Sequence, residues 1–171
     1  MAHCQLTDCY WNEEAKVASV TITSQWGTFT GYAKPHDEDM DVANKWIGWS
    51  IAEYKCRMKL QQKRAAAMRE RYNGLLAYED QLWYSFKYND ALRYAKKDWY
   101  DARDKYRALK NNFHSFCKDQ VESRRKFLED LEKNSGKIYG KNRTPLTKYA
   151  GLYKIKYNYC IHAIQRHVVL E

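Results

Sequence analysis

IGWSIAEYKCRMKLQQKRAAAMRERYNGLLAYEDQLWYSF, residues 47–86, holds the repeat on which the fold turns. Ile47, Ile51, Tyr54, Met58, Gln61, Ala65, Met68, Tyr72, Leu75, Glu79, Leu82 and Phe86 follow one another at alternating steps of four and three. Ten of these twelve positions are apolar, Ala and Tyr included. A straight helix drifts by about 20° per heptad, so a stripe held this long belongs to a helix that wraps against a partner. The stretch predicts one side of an antiparallel helical hairpin.

Outward from it, a second seam runs through Leu92, Ala95, Trp99, Ala102, Tyr106, Leu109, Phe113 and Phe116 and fades at Gln120. It is one residue out of register with the first, so the chain turns over between them. Two breaks are available: Asn73-Gly74, where glycine suits a helix C-terminus, and residues 87–90, where Asn89 or Asp90 would cap the next helix. The reading favours 73–74, with helices over 39–72 and 75–133. The second helix is then longer by about 25 residues, enough to give a further C-terminal helix a stretch to pack on.

Before the helices, residues 16–33 read as a β-hairpin. Val17, Ser19, Thr21 and Thr23 alternate with Ala18, Val20 and Ile22, and β-branched residues fit a pleated, half-buried surface. Ser24-Gln25-Trp26-Gly27 supplies the turn, with Gly27 free to take positive φ. Two strands alone are marginal and must pack on a helix; the first ten residues are a candidate third strand. Pro35-His36-Asp37-Glu38-Asp39 ends the hairpin and opens the first helix, with Asp37 or Asp39 as cap and the acidic run on the positive end of the helix dipole.

With 7 Gly and 2 Pro in 171 residues the chain is short of breakers, which argues for long helices over a sandwich or barrel. No stretch is long and apolar enough to span a membrane, and the first residues lack the basic-then-apolar order of a secretory signal. Five cysteines at irregular spacing make no disulfide framework, so free thiols and a cytoplasmic setting are expected. The net charge of +9 is uneven. Residues 1–40 hold two basic and six acidic side chains. Residues 134–171 hold seven basic ones and only Glu171 against them. Such a basic segment attracts an acidic partner or nucleic-acid phosphates.

Three constellations bear on chemistry. His3, Cys4 and Cys9 at one end, with Cys160, His162 and His167 at the other, are zinc-ligand types, but the usual short Cys-x-x-Cys knuckle is missing and no zinc is expected. His36, Asp37, Glu38, Asp39 and Asp41 are hard-cation ligands that helix capping explains equally. His114 and Cys117 lie three apart, with nothing beside them to mark an oxyanion site. No catalytic residue and no cofactor is expected, and the chain reads as a binding protein.

The aromatic excess carries more. Tyr78, Trp83, Tyr84, Tyr88, Tyr94 and Tyr100 lie off both seams. They are either the filling of a wide core or anchors for a partner, and beside Lys and Arg they are platforms for stacked bases. These six, with Lys137, Lys141, Arg143, Lys148, Lys154 and Lys156, are the candidate partner-binding residues. Three of the last six lie in the loop 134–144 and three follow it, where Thr144 would cap and Pro145 open a helix carrying Leu146, Ala150, Tyr153, Tyr157, Cys160, Ile164 and Val168. A period-two strand over residues 153–159 is the alternative.

Gly27-Thr-Phe-Thr-Gly31-Tyr-Ala33-Lys-Pro-His36-Asp-Glu-Asp39-Met-Asp41, followed by Trp46-Ile-Gly48 and Ile51-Ala52-Glu53, resembles the start of small proteins encoded by phages and mobile elements of Gram-positive bacteria. Accessory proteins of this kind include inhibitors of CRISPR immunity. The resemblance covers roughly residues 16–72, and its motif is structural rather than catalytic. It implies a phage-encoded anti-CRISPR protein, cytoplasmic in the infected host, that binds a type II effector nuclease or its guide RNA or target DNA. A nucleic-acid-binding phage accessory protein and a self-associating, homodimeric coiled-coil adaptor are the alternatives. The expected fold is mainly α with a small N-terminal β-hairpin. Residues 1–38 form the hairpin region packed on the first helix, 39–133 the helical hairpin, and 134–171 a basic loop and C-terminal helix.

Overall fold

The computed structural model describes residues 5–82 and 84–133. Three strands, β1 (Gln5–Asn12), β2 (Val17–Ser24) and β3 (Gly27–Ala33), form an antiparallel sheet in the order β1-β2-β3. A 3-10 turn at Asp37–Asp39 leads to α1 (Lys45–Leu76), a single turn α2 (Glu79–Leu82) and α3 (Phe86–Lys133). The chain is thus α+β and mainly helical, and the third strand is present. Ser24 faces Gly27 across the β2–β3 turn, and Gly27 takes φ of 117°, open to it without a Cβ clash. In β1 the pairing slips by one residue between Leu6 and Asp8. That bulge reverses the side-chain alternation, so Leu6, Cys9 and Trp11 all lie opposite the buried Ile22, Val20 and Ala18.

The core lies between this sheet and the first half of α1. Trp49, Ala52, Cys56 and Leu60 bury themselves against Ala18, Val20, Ile22 and Ala33. The approach is close because two positions lack a side chain. A Cβ on Gly31 would stand 2.1 Å from the Ala52 carbonyl oxygen, and one on Gly48 2.6 Å from Ala18 Cβ. The Cys56 thiol lies 3.0 Å from the Val20 carbonyl oxygen and 3.2 Å from that of Phe29, and burial pushes its pKa up. Trp49 Nε1 donates to the Tyr10 carbonyl. Gly31, Ala33, Gly48 and Ala52 are therefore packing residues at the helix–sheet contact.

The opposite face of α1 takes the predicted seam onto α3, antiparallel. Tyr54 stacks on Phe116 at 4.5 Å between ring centres and donates its hydroxyl to the Leu109 carbonyl. Tyr72 stacks on Trp99 at 5.5 Å, and Tyr88 donates to the Leu75 carbonyl. Ala95 and Ala102 are fully buried between the helices. The first half of α1 is thus enclosed on two sides, by the sheet and by α3.

Several boundaries differ from the sequence reading. Asn73-Gly74 does not break the chain but lies inside α1, and the turn falls at residues 77–85, between the two predicted breaks. Glu79, Leu82 and Phe86 continue the heptad count, yet all three are exposed, because α3 has already turned back at Tyr88 to meet Leu75. The acidic run does not cap α1. Asn44 does, accepting from the amides of Trp46 and Ile47. Asp39 instead reaches across to Arg125 of α3 at 2.7 Å, and Arg125 also donates to the Glu38 carbonyl. The helix predicted from Thr144 onward lies outside the described residues.

Candidate partner-binding surface

At the tip of the helical hairpin the chain must reverse within nine residues. Leu82 N–H donates to the Tyr78 carbonyl and Ser85 N–H to that of Leu82, closing α2; Asn89 N–H donates to the Ser85 carbonyl as α3 begins. Among the described residues, most side chains of this turn are exposed. Tyr78 is 54% exposed, Tyr84 74% and Phe86 78%, with Leu82 also exposed. Singly exposed apolar residues are ordinary, but a group of four large ones at one turn marks a contact surface. Glu79 and Asp80 sit in the same turn and lend it acidic character.

Along α3 the outward face has a different chemistry. Arg93, Lys96, Tyr100, Arg103 and Arg107 recur at steps of three and four, each one residue after a seam position, so they flank the seam on Ala95, Ala102 and Leu109 about a quarter-turn around the helix. The Arg93 guanidinium stands 5.3 Å from the Tyr94 ring centre, Arg103 4.4 Å from Tyr100, and Lys96 5.9 Å from Tyr100. These are cation–π distances. Asp90 and Asp104 pair with Arg93 and Arg103, leaving the stripe basic but moderated. Tyr94 is 58% exposed and Tyr100 lies at the exposed side of the stacked Trp99.

The off-seam aromatics therefore divide. Tyr78, Tyr84, Tyr94 and Tyr100 reach the surface, as a contact role requires. Tyr88 does not: it is only 7% exposed and belongs to the seam, one step before Leu92. Its correction has a readable signal, since Tyr88, Leu92, Ala95 and Trp99 share the four-three spacing. Trp83 and the basic residues Lys137, Lys141, Arg143, Lys148, Lys154 and Lys156 lie outside the described residues. Phe86, which the heptad count placed in the core, joins the exposed tip, and so does Leu82.

Of the residues weighed for chemistry, His3, Cys4, Cys160, His162 and His167 lie outside the described residues. His114 is exposed while Cys117 is half-buried, and burial pushes the Cys117 thiol up, the reverse of an activated thiolate. Asp39 is committed to Arg125. Among the described residues no three His, Cys, Asp or Glu side chains converge on a common point, and Cys56 and Cys117 are free thiols. Among the same residues no helix is long and apolar enough to cross a membrane.

No protein-family model, curated protein or solved structure matches this chain.

Proposed function

We propose that this protein acts by occupancy: a phage-encoded inhibitor that lays the tip and outward face of its helical hairpin on a type II RNA-guided effector nuclease and blocks its guide or target nucleic acid. The observation that carries this reading is the pairing of exposed tyrosines with cations along the first half of α3, Arg93–Tyr94 and Arg103–Tyr100 above all. Tyr and Arg are the residue types that dominate binding energy at interfaces, and the acidic Glu79 and Asp80 at the tip suit the positively charged channel that an effector offers to nucleic-acid phosphates. The phage and CRISPR assignment itself rests on the sequence resemblance over roughly residues 16–72.

Co-purification with an effector, with and without guide RNA, tests the reading. Tyr94→Ala with Tyr100→Ala should leave the thermal midpoint nearly unchanged and weaken inhibition of DNA cleavage by tenfold or more. The same basic-aromatic stripe favours a second reading, direct binding of bare nucleic acid. That reading predicts binding in the absence of any effector, with log affinity falling linearly in log salt. Effector capture that survives in moderate salt, with no binding to free RNA or DNA, separates the first from the second. A concentration-dependent dimer with neither activity would point to self-association instead.

A further inference from the structure

A cavity of about 270 Å3 opens where the end of β3, the loop after it, the first turns of α1 and the second half of α3 meet. It is remote from the tip and from the stripe around Tyr100. Its walls are of two kinds. Ile47, Ile51, Phe113 and Val121 line it with apolar surface, and Lys16, Lys34, Lys55 and His36 stand around them.

The charge at this cavity does not cancel. Lys16 is paired with Glu13 at 2.6 Å, and the one lining carboxylate, Asp39, is held by Arg125 at 2.7 Å. Among the described residues no carboxylate pairs with Lys34 or Lys55. Lys55 is fixed in place: its ammonium donates to the Tyr32 carbonyl at 2.8 Å and stands 5.7 Å from the centre of the Phe113 ring. An ammonium held at the edge of an apolar hollow, on a backbone carbonyl that leaves its full charge, is a counter-ion for an incoming anion. We infer that this cavity binds a small amphiphilic organic anion, its apolar body against Ile51, Phe113 and Val121 and its carboxylate, sulfonate or phosphate head toward Lys55 and Lys34. A hollow of this size suits a bicyclic arene or a short acyl chain. Because the walls come from the loop after β3 and from α3, an occupant would clamp the loop at residues 34–44 to the long helix.

The test uses naphthalene-2-sulfonate as probe and 2-naphthylmethanol as its neutral counterpart, on the full chain. Cys117 lines the cavity and is a free thiol, so its alkylation by iodoacetamide, followed by mass spectrometry, reports occupancy. Calorimetric titration reads binding independently of that thiol. The sulfonate should bind saturably, slow alkylation of Cys117 at least fivefold, and bind at least tenfold more tightly than the alcohol. Lys55→Gln should reduce sulfonate affinity about tenfold. Lys34→Gln, an exposed loop position whose change leaves the fold intact, should reduce it several-fold. No calorimetric binding of the sulfonate, equal binding of the two probes, or an affinity unmoved by both lysine variants would overturn the proposal.

Discussion

At Gly31 the backbone of β3 runs so close to α1 that a single methyl group has nowhere to go. It would meet the Ala52 carbonyl oxygen, which is backbone and cannot swing aside. Gly31→Ala should therefore cost about 1–3 kcal/mol, the usual range for overpacking, read as a lower urea midpoint at unchanged m-value; an unchanged midpoint would mean that helix and sheet are farther apart than described. Residue-scale placement also separates two tyrosines four apart in sequence. Tyr88 is core, and Tyr88→Ala should cost about 3–5 kcal/mol. Tyr84 is 74% exposed, so Tyr84→Ala should stay within about 0.5 kcal/mol of the parent while weakening partner binding. Thermal melts on the two variants settle which ring is which.

Elements are bounded here by small local devices. Asn44 accepts two amide hydrogens at the start of α1, so Asn44→Ala should cost about 1 kcal/mol. The opposite sign is expected further along the same helix. Gly74 sits within α1 with nothing inside 4 Å of a built Cβ, and glycine in a helix interior is about 1 kcal/mol worse than alanine. Gly74→Ala should raise stability by roughly 0.5–1 kcal/mol. Had the chain broken at 73–74, with Gly74 in a left-handed C-cap, the same change would destabilise. A denaturation midpoint for Gly74→Ala thus tests the position of the helix end directly.

For the molecule as a whole, the buried thiol of Cys56 and the half-buried thiol of Cys117 contribute to how folding responds to alkali. Cys56 and Cys117 are both pushed up by burial. Above about pH 8.5 an unfolded thiol ionises, while these two stay protonated in the folded chain. The folded state then binds more protons than the unfolded one, so stability must fall as pH rises through that range. The loss starts at the unfolded-state value and continues until the folded-state thiols themselves ionise. Melting temperature should therefore decline between about pH 8.5 and 10, and Cys117→Ser should flatten part of the slope; a midpoint constant over that interval would mean that neither thiol is shielded.

The heptad arithmetic of residues 47–75, the alternation of 17–24 and the turn at Gly27 were legible from residue types alone, because period, branching and backbone freedom are properties of the local chain. They determined a β-hairpin, a long helix and an antiparallel helical partner. The second buried face of α1, with Trp49, Ala52, Cys56 and Leu60, was hidden because the helix is apolar on two sides and the heptad seam masked the other stripe. The third strand was ambiguous for a related reason: the bulge between Leu6 and Asp8 breaks its alternation, and only pairing with β2 shows the faces agree. The helix end was also out of reach. Leu75, Glu79, Leu82 and Phe86 keep the repeat, and what stops the seam is the place where Tyr88 returns to the Leu75 carbonyl, a contact between residues 13 apart. The candidate surface divides in the same way. Composition could say that tyrosines and cations gather between residues 78 and 110, but which of them face water depends on the rotation of α3 against α1. The sequence by itself determined the inventory and the periods; the tertiary structure decided which face of each helix is buried, because burial is a relation between elements that no single element encodes.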